Sequence, residues 1–294
     1  MKDFLIRGAS EDCAVRFFAC TTTNLVEEAR KIHNCYPIAA AALGRMLTVG
    51  SMMGTMLKAD QDILTLQING KGPTGSVVAV SDNSGNVRGY IHNPHVETTF
   101  KPSGKLDVGS AIGYEGNLTV IKDLGLKEPY VGQIPIVSGE IGDDFTVYFA
   151  NSEQTPTSVG LGVLVEPEGN VSAAGGFIVQ VMPEALEETI VLLEHNLAYL
   201  RPISDMVSSG LTVEALIGEV LKGIEFNVLE KKEIGYVCNC NRDRIERVLI
   251  SLGEEELVDM IEQDEKAEIS CHFCNNKFHF NKEELTTLLD QAKS

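Results

Sequence analysis

The chain is poor in basic residues. Twenty-four lysines and arginines face 42 aspartates and glutamates over 294 residues, a net charge of −18. Such a surface repels phosphate backbones and anionic lipid, which argues against a general nucleic-acid or membrane-surface role. An apolar leader is also missing. Met1-Lys2-Asp3-Phe4-Leu5-Ile6-Arg7 is charged from its second residue and has no small-residue cleavage site, so a cytoplasmic, reducing setting is expected. No charge-free run is long enough to span a bilayer. Ile38 to Leu57 comes nearest, but it consists mostly of Ala, Gly, Met, Ser and Thr and carries Arg45, and it reads as a buried core helix. Pro37 suits its first turn and Lys58 its last, and Gly50-x-x-x-Gly54 reads as close packing within a core. No Ser-His-Asp arrangement or carboxylate pair stands out. The Gly-rich stretch Asn69-Gly70-Lys71-Gly72-Pro73 reads as a hairpin turn, because Pro73 and a β-like run follow it where a phosphate loop needs a helix.

A hydrophobic fraction of 44% supplies one large core or two smaller ones, which excludes disorder and a minimal disulfide-stapled scaffold. The acidity is uneven. Up to residue 178 there are 13 basic and 19 acidic residues, a net −6, whereas the remaining 116 carry 11 and 23, a net −12.

Branched and aromatic runs separated by Gly, Asn, Asp and Pro mark strands at Val15 to Cys20, Ile63 to Ile68, Ser76 to Val80, Val87 to His92 and Leu118 to Ile121. Two further runs, Gly160 to Val165 and Phe177 to Val181, bracket the turn Glu166 to Asn170, and Ser81 to Asn86 reads as a hairpin turn. Helical patterns cover Asn24 to Asn34, capped by Asn24, the Ile38 segment, and Ser138 to Phe149 with Ile141, Phe145, Tyr148 and Phe149 on one face. The fold class is α+β: a mixed α/β-sheet domain over 1–180, a helical linker over 181–232 and a small cysteine-bearing module over 233–294. In the linker, Pro183 starts a helix with Leu186, Ile190, Leu193 and Leu197 in a stripe, and a second follows Thr212 with Leu216, Val220 and Ile224. Narrow apolar stripes on acidic helices depend on packing against something else, so these helices are conditionally stable.

Seven cysteines divide into two groups. Cys13, Cys20 and Cys35 are scattered among apolar residues and read as inert buried thiols, dispensable for function. Cys238-x-Cys240 and Cys271-x-x-Cys274, thirty residues apart, supply four thiolates, the number and softness that tetrahedral Zn²⁺ prefers. Asn275 and Asn276 tolerate the left-handed turn of a zinc knuckle, and Phe278 begins a returning strand. Four sulfurs close the metal's shell, which leaves His272 and His279 outside it and makes the zinc structural, not hydrolytic.

A segment of about sixty residues buries little core, whereas a zinc-thiolate site contributes about 10–16 kcal/mol to folding, so metal loss should unfold it. Arg242, Arg244 and Arg247 favour ionised thiols and also suit a helix face paired with Asp243 and Glu246, two readings that are compatible. Once the metal is gone, local concentration favours Cys238 with Cys240 and Cys271 with Cys274. A disulfide across one intervening residue is tight and readily reduced again. Two alternatives compete. A zinc-ribbon nucleic-acid binder is opposed by seven basic against 14 acidic residues over 233–294. A thiol-disulfide oxidoreductase needs its C-x-x-C to open a helix, whereas Asn275-Asn276-Lys277-Phe278 suggests a turn into a strand.

Beyond the paired cysteines, Ile6-Arg7-Gly8, Tyr36-Pro37 leading into Ala39-Ala40-Ala41-Ala42-Leu43-Gly44-Arg45, Tyr148-Phe149 with Ser152-Glu153-Gln154, and Gly175-Gly176-Phe177 also stand out. With these motifs nearly the whole chain resembles the heat-shock protein 33 family of bacterial redox-regulated holdase chaperones. The resemblance implies an ATP-independent chaperone, not an enzyme, inactive while reduced and holding one zinc per chain on Cys238, Cys240, Cys271 and Cys274. Peroxide with mild unfolding stress, or hypochlorous acid, would form the redox-active disulfides Cys238–Cys240 and Cys271–Cys274, expel zinc, unfold the module and destabilise the linker helices. The active form, a homodimer, would hold unfolding or oxidatively damaged client proteins until reduction passes them on. Neither nucleic acid nor membrane is an expected partner.

Overall fold

A computed structural model describes residues 2–263 and 266–292, and they form two compact units that divide between Val237 and Cys238. The first unit runs β1 (Phe4–Ser10), β2 (Val15–Thr21), α1 (Thr23–His33), α2 (Pro37–Gly54), β3 (Ile63–Asn69), β4 (Val77–Ser81) and β5 (Val87–Ile91). It continues through α3 (Val108–Ile112), β6 (Asn117–Asp123), β7 (Tyr130–Pro135), α4 (Gly142–Ser152), β8 (Thr157–Val165) and β9 (Val171–Val181). Three helices, α5 (Glu187–Ala198), α6 (Ile203–Ser208) and α7 (Val213–Val220), lead to β10 (Phe226–Glu233).

Two antiparallel five-stranded sheets, in the orders β10-β1-β2-β9-β8 and β5-β4-β3-β6-β7, share one core. Helix α2 packs against strands of both. It is apolar on all sides and almost wholly buried, as a helix between two sheets must be. Its one cation, Arg45, pairs with Glu140 at 2.7 Å. Gly54 lies against the β4–β5 turn, where a Cβ would come within 2.5 Å of the Asp82 carbonyl. Among the described residues no helix is long and apolar enough to cross a membrane.

The strands expected from pattern are present, and Ser81 to Asn86 is the turn between β4 and β5. Residues 69–73 form a loop between β3 and β4, so no helix N-terminus meets the glycines. Other boundaries differ. Helix α4 starts at Gly142, not Ser138, because Gly139 and Ile141 have positive φ and the buried Asp144 carboxylate accepts from the Val137, Ser138 and Ile141 N–H groups. The cap of α1 is also different. Thr22 is the N-cap, and the carboxylate that accepts the Leu25 N–H, at 2.8 Å, belongs to Asp3 on the distant start of the chain.

Burial raises the Asp3 carboxyl from 3.8 to about 6, outweighing the N–H donors of Leu25 and Asn24 that act to lower it. The folded chain thus holds this proton more tightly than the unfolded chain. Its contribution to stability is full below pH 4 and is lost as pH rises to about 6, a change of up to about 3 kcal/mol. In Asp3→Asn, denaturant titrations between pH 4 and 6 are expected to lack this downward slope.

The far face of the first sheet is covered by α5 to α7. Ile6, Phe17, Ala19, Phe177 and Val179 meet Leu193, Ile203, Met206, Leu216, Ile217 and Val220. The α7 stripe follows the sequence pattern, with Leu216 and Val220 buried, whereas α5 begins at Glu187 and leaves Leu186 66% exposed. Helix α6 and strand β10 do not follow from the pattern read over 181–232. β10 is an edge strand on β1 whose Glu230, Lys231 and Lys232 conceal any alternation.

The second unit comprises α8 (Arg242–Leu252), α9 (Glu254–Gln263), β11 (Lys266–Ser270), β12 (Lys277–Asn281) and α10 (Lys282–Ala292). β11 and β12 pair antiparallel. Among the described residues its buried apolar cluster is small: Ile245, Leu249, Leu257, Phe280, Leu285 and Leu288. Asp264 and Glu265, part of its acidic content, lie outside the described residues.

Candidate metal and redox centre

Two short segments of the second unit bring four thiols together. Cys238 and Cys240 precede α8, whose start is set by the Asn241 side chain accepting the Arg244 N–H at 2.9 Å. Cys271 and Cys274 occupy the turn between β11 and β12. There the Cys271 carbonyl accepts the Asn275 N–H, the Cys271 N–H donates to Asn276, and Asn275 adopts φ +55°. This is a knuckle in which backbone N–H groups point back at sulfur, and Asn tolerates its left-handed residue.

All four Sγ atoms lie within 4.8 Å of one another, with Cys238 to Cys271 at 3.7 Å and Cys240 to Cys274 at 3.2 Å. Sulfurs about 2.3 Å from a tetrahedral zinc sit roughly 3.8 Å apart, so the donor set fits that ion in number, softness and spacing. Among the described residues it is the only cluster of three or more potential ligands. His279 stands apart, largely exposed and 3.4 Å from Glu268.

The thiols are not equivalent. Burial pushes Cys238 and Cys240 above the usual thiol range, and the neighbouring sulfurs of Cys271 and Cys274 push the same way. Burial acts upward on Cys271 too, but the N–H groups of Phe273 and Cys274 outweigh it and hold this thiol below the usual range. On this ground Cys271 ionises more readily than Cys238 and Cys240. Arg242 follows the helix-face reading of the arginines. It pairs with Glu246 and Glu284 and lies over the Phe280 ring at 4.4 Å, so it braces the small core.

The C-x-x-C pair opens no helix, and an oxidoreductase site lacks its structural context here. The remaining cysteines split in a way the sequence did not suggest. Cys20 and Cys35 are buried, and burial raises both thiols, Cys35 to about 12. Cys13 is exposed on the β1–β2 turn at φ +57°, which corrects the reading of all three as buried. Iodoacetamide applied to the native reduced protein should label Cys13 and spare Cys20 and Cys35, as peptide mass mapping will show.

The approach to the first thiol pair is anchored in the first unit. Ile234 and Tyr236 are buried in its core, and the Tyr236 hydroxyl donates to the Gly89 carbonyl at 2.7 Å, where His33 Nε2 also lies at 2.9 Å. Nothing in the local sequence announces this anchor, because its partners lie about 150 and 200 residues away.

Comparison with known proteins agrees over the full length. The family model described as Hsp33 protein matches residues 3–281. The chain belongs to the HSP33 family. Curated HSP33 relatives called 33 kDa chaperonin include one from Alkaliphilus metalliredigens, 49% identical over 99% of this chain and 100% of its own length. Another, from a Geobacillus species, is 50% identical over 100% of this chain and 99% of its own. The crystal structure of the Thermotoga maritima 33 kDa chaperonin superposes with a TM-score of 0.90 at 39% identity, covering 99% of each chain.

Proposed function

We propose that this protein is a redox-regulated, ATP-independent holdase of the cytoplasm and not an enzyme. It is inactive while Cys238, Cys240, Cys271 and Cys274 hold one zinc ion, and active as a homodimer once they are oxidised. The observation that carries this reading is the convergence of four sulfurs from two segments thirty residues apart onto a unit with a very small apolar core.

Bound zinc supplies four sulfur bonds that cross-link those segments, a contribution that a core of this size does not replace. Oxidation acts on the sulfurs. Each neighbouring pair, Cys238 with Cys240 and Cys271 with Cys274, loses two electrons to one peroxide molecule, which leaves as two waters. Paired sulfurs no longer ligate, and the unit loses its main support. The chain continues from this unit through Tyr236 and β10 to α7, so loosening it weakens the seat of α5 to α7. The apolar sheet face at Ile6, Phe17, Ala19, Phe177 and Val179 then becomes available to unfolding clients. Self-repulsion among the 23 acidic residues beyond position 178 lowers the cost of opening and keeps the opened protein soluble. It also disfavours nucleic acid and anionic membrane as partners.

One experiment tests the core of this reading: zinc release and light scattering by a heat-unfolding client, followed together as peroxide is added at elevated temperature. One zinc per chain should be released with the loss of four thiols as scattering is suppressed. Equal suppression by the reduced zinc form, or none by the oxidised form, would refute the switch.

A further inference from the structure

The two edges of the first sheet are treated differently. β10 carries Glu230, Lys231, Lys232 and Glu233, charges that discourage another strand from adding. β8, the opposite edge, reads Thr157-Ser-Val-Gly-Leu-Gly-Val-Leu-Val165 and has neither a charge nor a proline. Along it runs a groove of about 1020 Å³, whose lining mixes the apolar Phe100, Leu106, Leu200 and Ile203 with charged residues such as Lys101 and Arg201.

The direction of the β8 peptide groups follows from the ladder. Val181 donates to Pro156 and Ala174 accepts from Thr22, so odd-numbered residues of β9 face β8 and even-numbered ones face β2. With Gly160 opposite Phe177, the even-numbered residues of β8 spend their backbone groups on β9. Odd-numbered residues turn theirs outward, and the Val159 N–H accordingly donates to Thr146 Oγ1. Leu161 and Val163 also point outward, and their N–H and C=O groups find no partner among the described residues. Their side chains pack on the α2 face, while Gly162 lets α6 approach so closely that a Cβ would meet the Ser204 nitrogen at 2.4 Å. On the same groove wall Arg45 has a buried Nε with no acceptor, a second sign that the polar complement here is incomplete.

We propose that this groove receives an extended apolar segment of an unfolding polypeptide as a sixth strand on β8. The occupant is identified by its backbone. Donors and acceptors repeating at two-residue spacing are matched in register by another extended chain, and Phe100, Leu106, Leu200 and Ile203 in the lining offer apolar contact to branched or aromatic side chains beside them. This inference rests on the chaperone reading and deepens it, since α6 forms one wall and its release with the linker helices widens access to the edge.

Amide hydrogen exchange on the full-length protein, reduced and oxidised, tests it at Leu161 and Val163. One probe is heat-unfolded luciferase; the other is a ten-residue peptide of alternating Val and Thr flanked by glutamates. Each should slow exchange at these two amides at least tenfold, and the same peptide N-methylated at alternate residues should not. Leu161→Pro removes one outward donor without touching the β8–β9 ladder and should weaken peptide binding several-fold. If the oxidised protein holds luciferase while both amides exchange as before, the groove proposal fails and the holdase reading stands. If the peptide slows exchange but luciferase is never held, the groove stands and the holdase reading fails. Protection that grows with protein concentration alone would assign the edge to a second copy of this chain and overturn the proposal.

Discussion

Stripping zinc from the reduced protein will unfold the second unit and leave the two-sheet core of the first unit folded. Among the described residues of the unit, six buried apolar side chains form the centre of its core, and it carries acidic runs that repel one another. A core of that size offsets little of the chain entropy, on the order of 1–2 kcal/mol per residue for the backbone alone. A zinc-thiolate site adds about 10–16 kcal/mol at neutral pH, so the site and the fold stand or fall together. Chelation should make amides across β11, β12 and α10 exchange at unfolded rates, while α2 and β3 stay protected. Cys271→Ser should reproduce this without chelator, because it removes one of the four clustered sulfurs, whose thiol the knuckle N–H groups hold below the usual range. Protection of β11 and β12 retained in the zinc-free protein would show that the apolar core suffices by itself.

The second large effect lies in the first unit, at the seat of α7. Leu216 and Ile217 are fully buried against the sheet face that contains Ile6, Phe17 and Val179. Truncating either to Ala costs about 2–5 kcal/mol, the transfer loss of the side chain plus the cavity left behind. A helix of eight residues has little stability of its own to set against that loss. Leu216→Ala combined with Ile217→Ala should therefore free the linker helices while zinc remains bound and should suppress client aggregation without peroxide. The check is zinc content together with light scattering in the reduced protein. A double variant with full zinc, lost α5 to α7 protection and no holding activity would mean that this sheet face is not what clients meet.

These predictions draw unequally on sequence and structure. The thiol cluster was legible because its signal is local: two close pairs, soft ligands, and asparagines where a left-handed residue is needed, which Asn275 provides. Helix α2 was legible for a similar reason, an apolar run interrupted by one arginine. The start of α4 was not, because its boundary is set by Asp144 reaching back to Val137 and Ser138, a loop closure that helical periodicity does not encode. The cap of α1 was misread for the same kind of reason, its carboxylate coming from Asp3, about twenty residues earlier.

Strand β10 shows the limit most clearly. Read alone, Phe226 to Glu233 is a charged stretch after a helix, and it is a strand because β1 offers it an unpaired edge. The exposure of Cys13, the Tyr236 anchor beneath Gly89 and the open edge of β8 are likewise properties of neighbours in space. Composition and local spacing by themselves determined the acidity, the four cysteines that cluster, the α+β class and the family likeness, since each depends on residue type within a short window. Which face is covered, which edge is left open and which thiols are buried were decided only by tertiary structure, because burial and hydrogen bonding are set by residues tens to hundreds of positions apart.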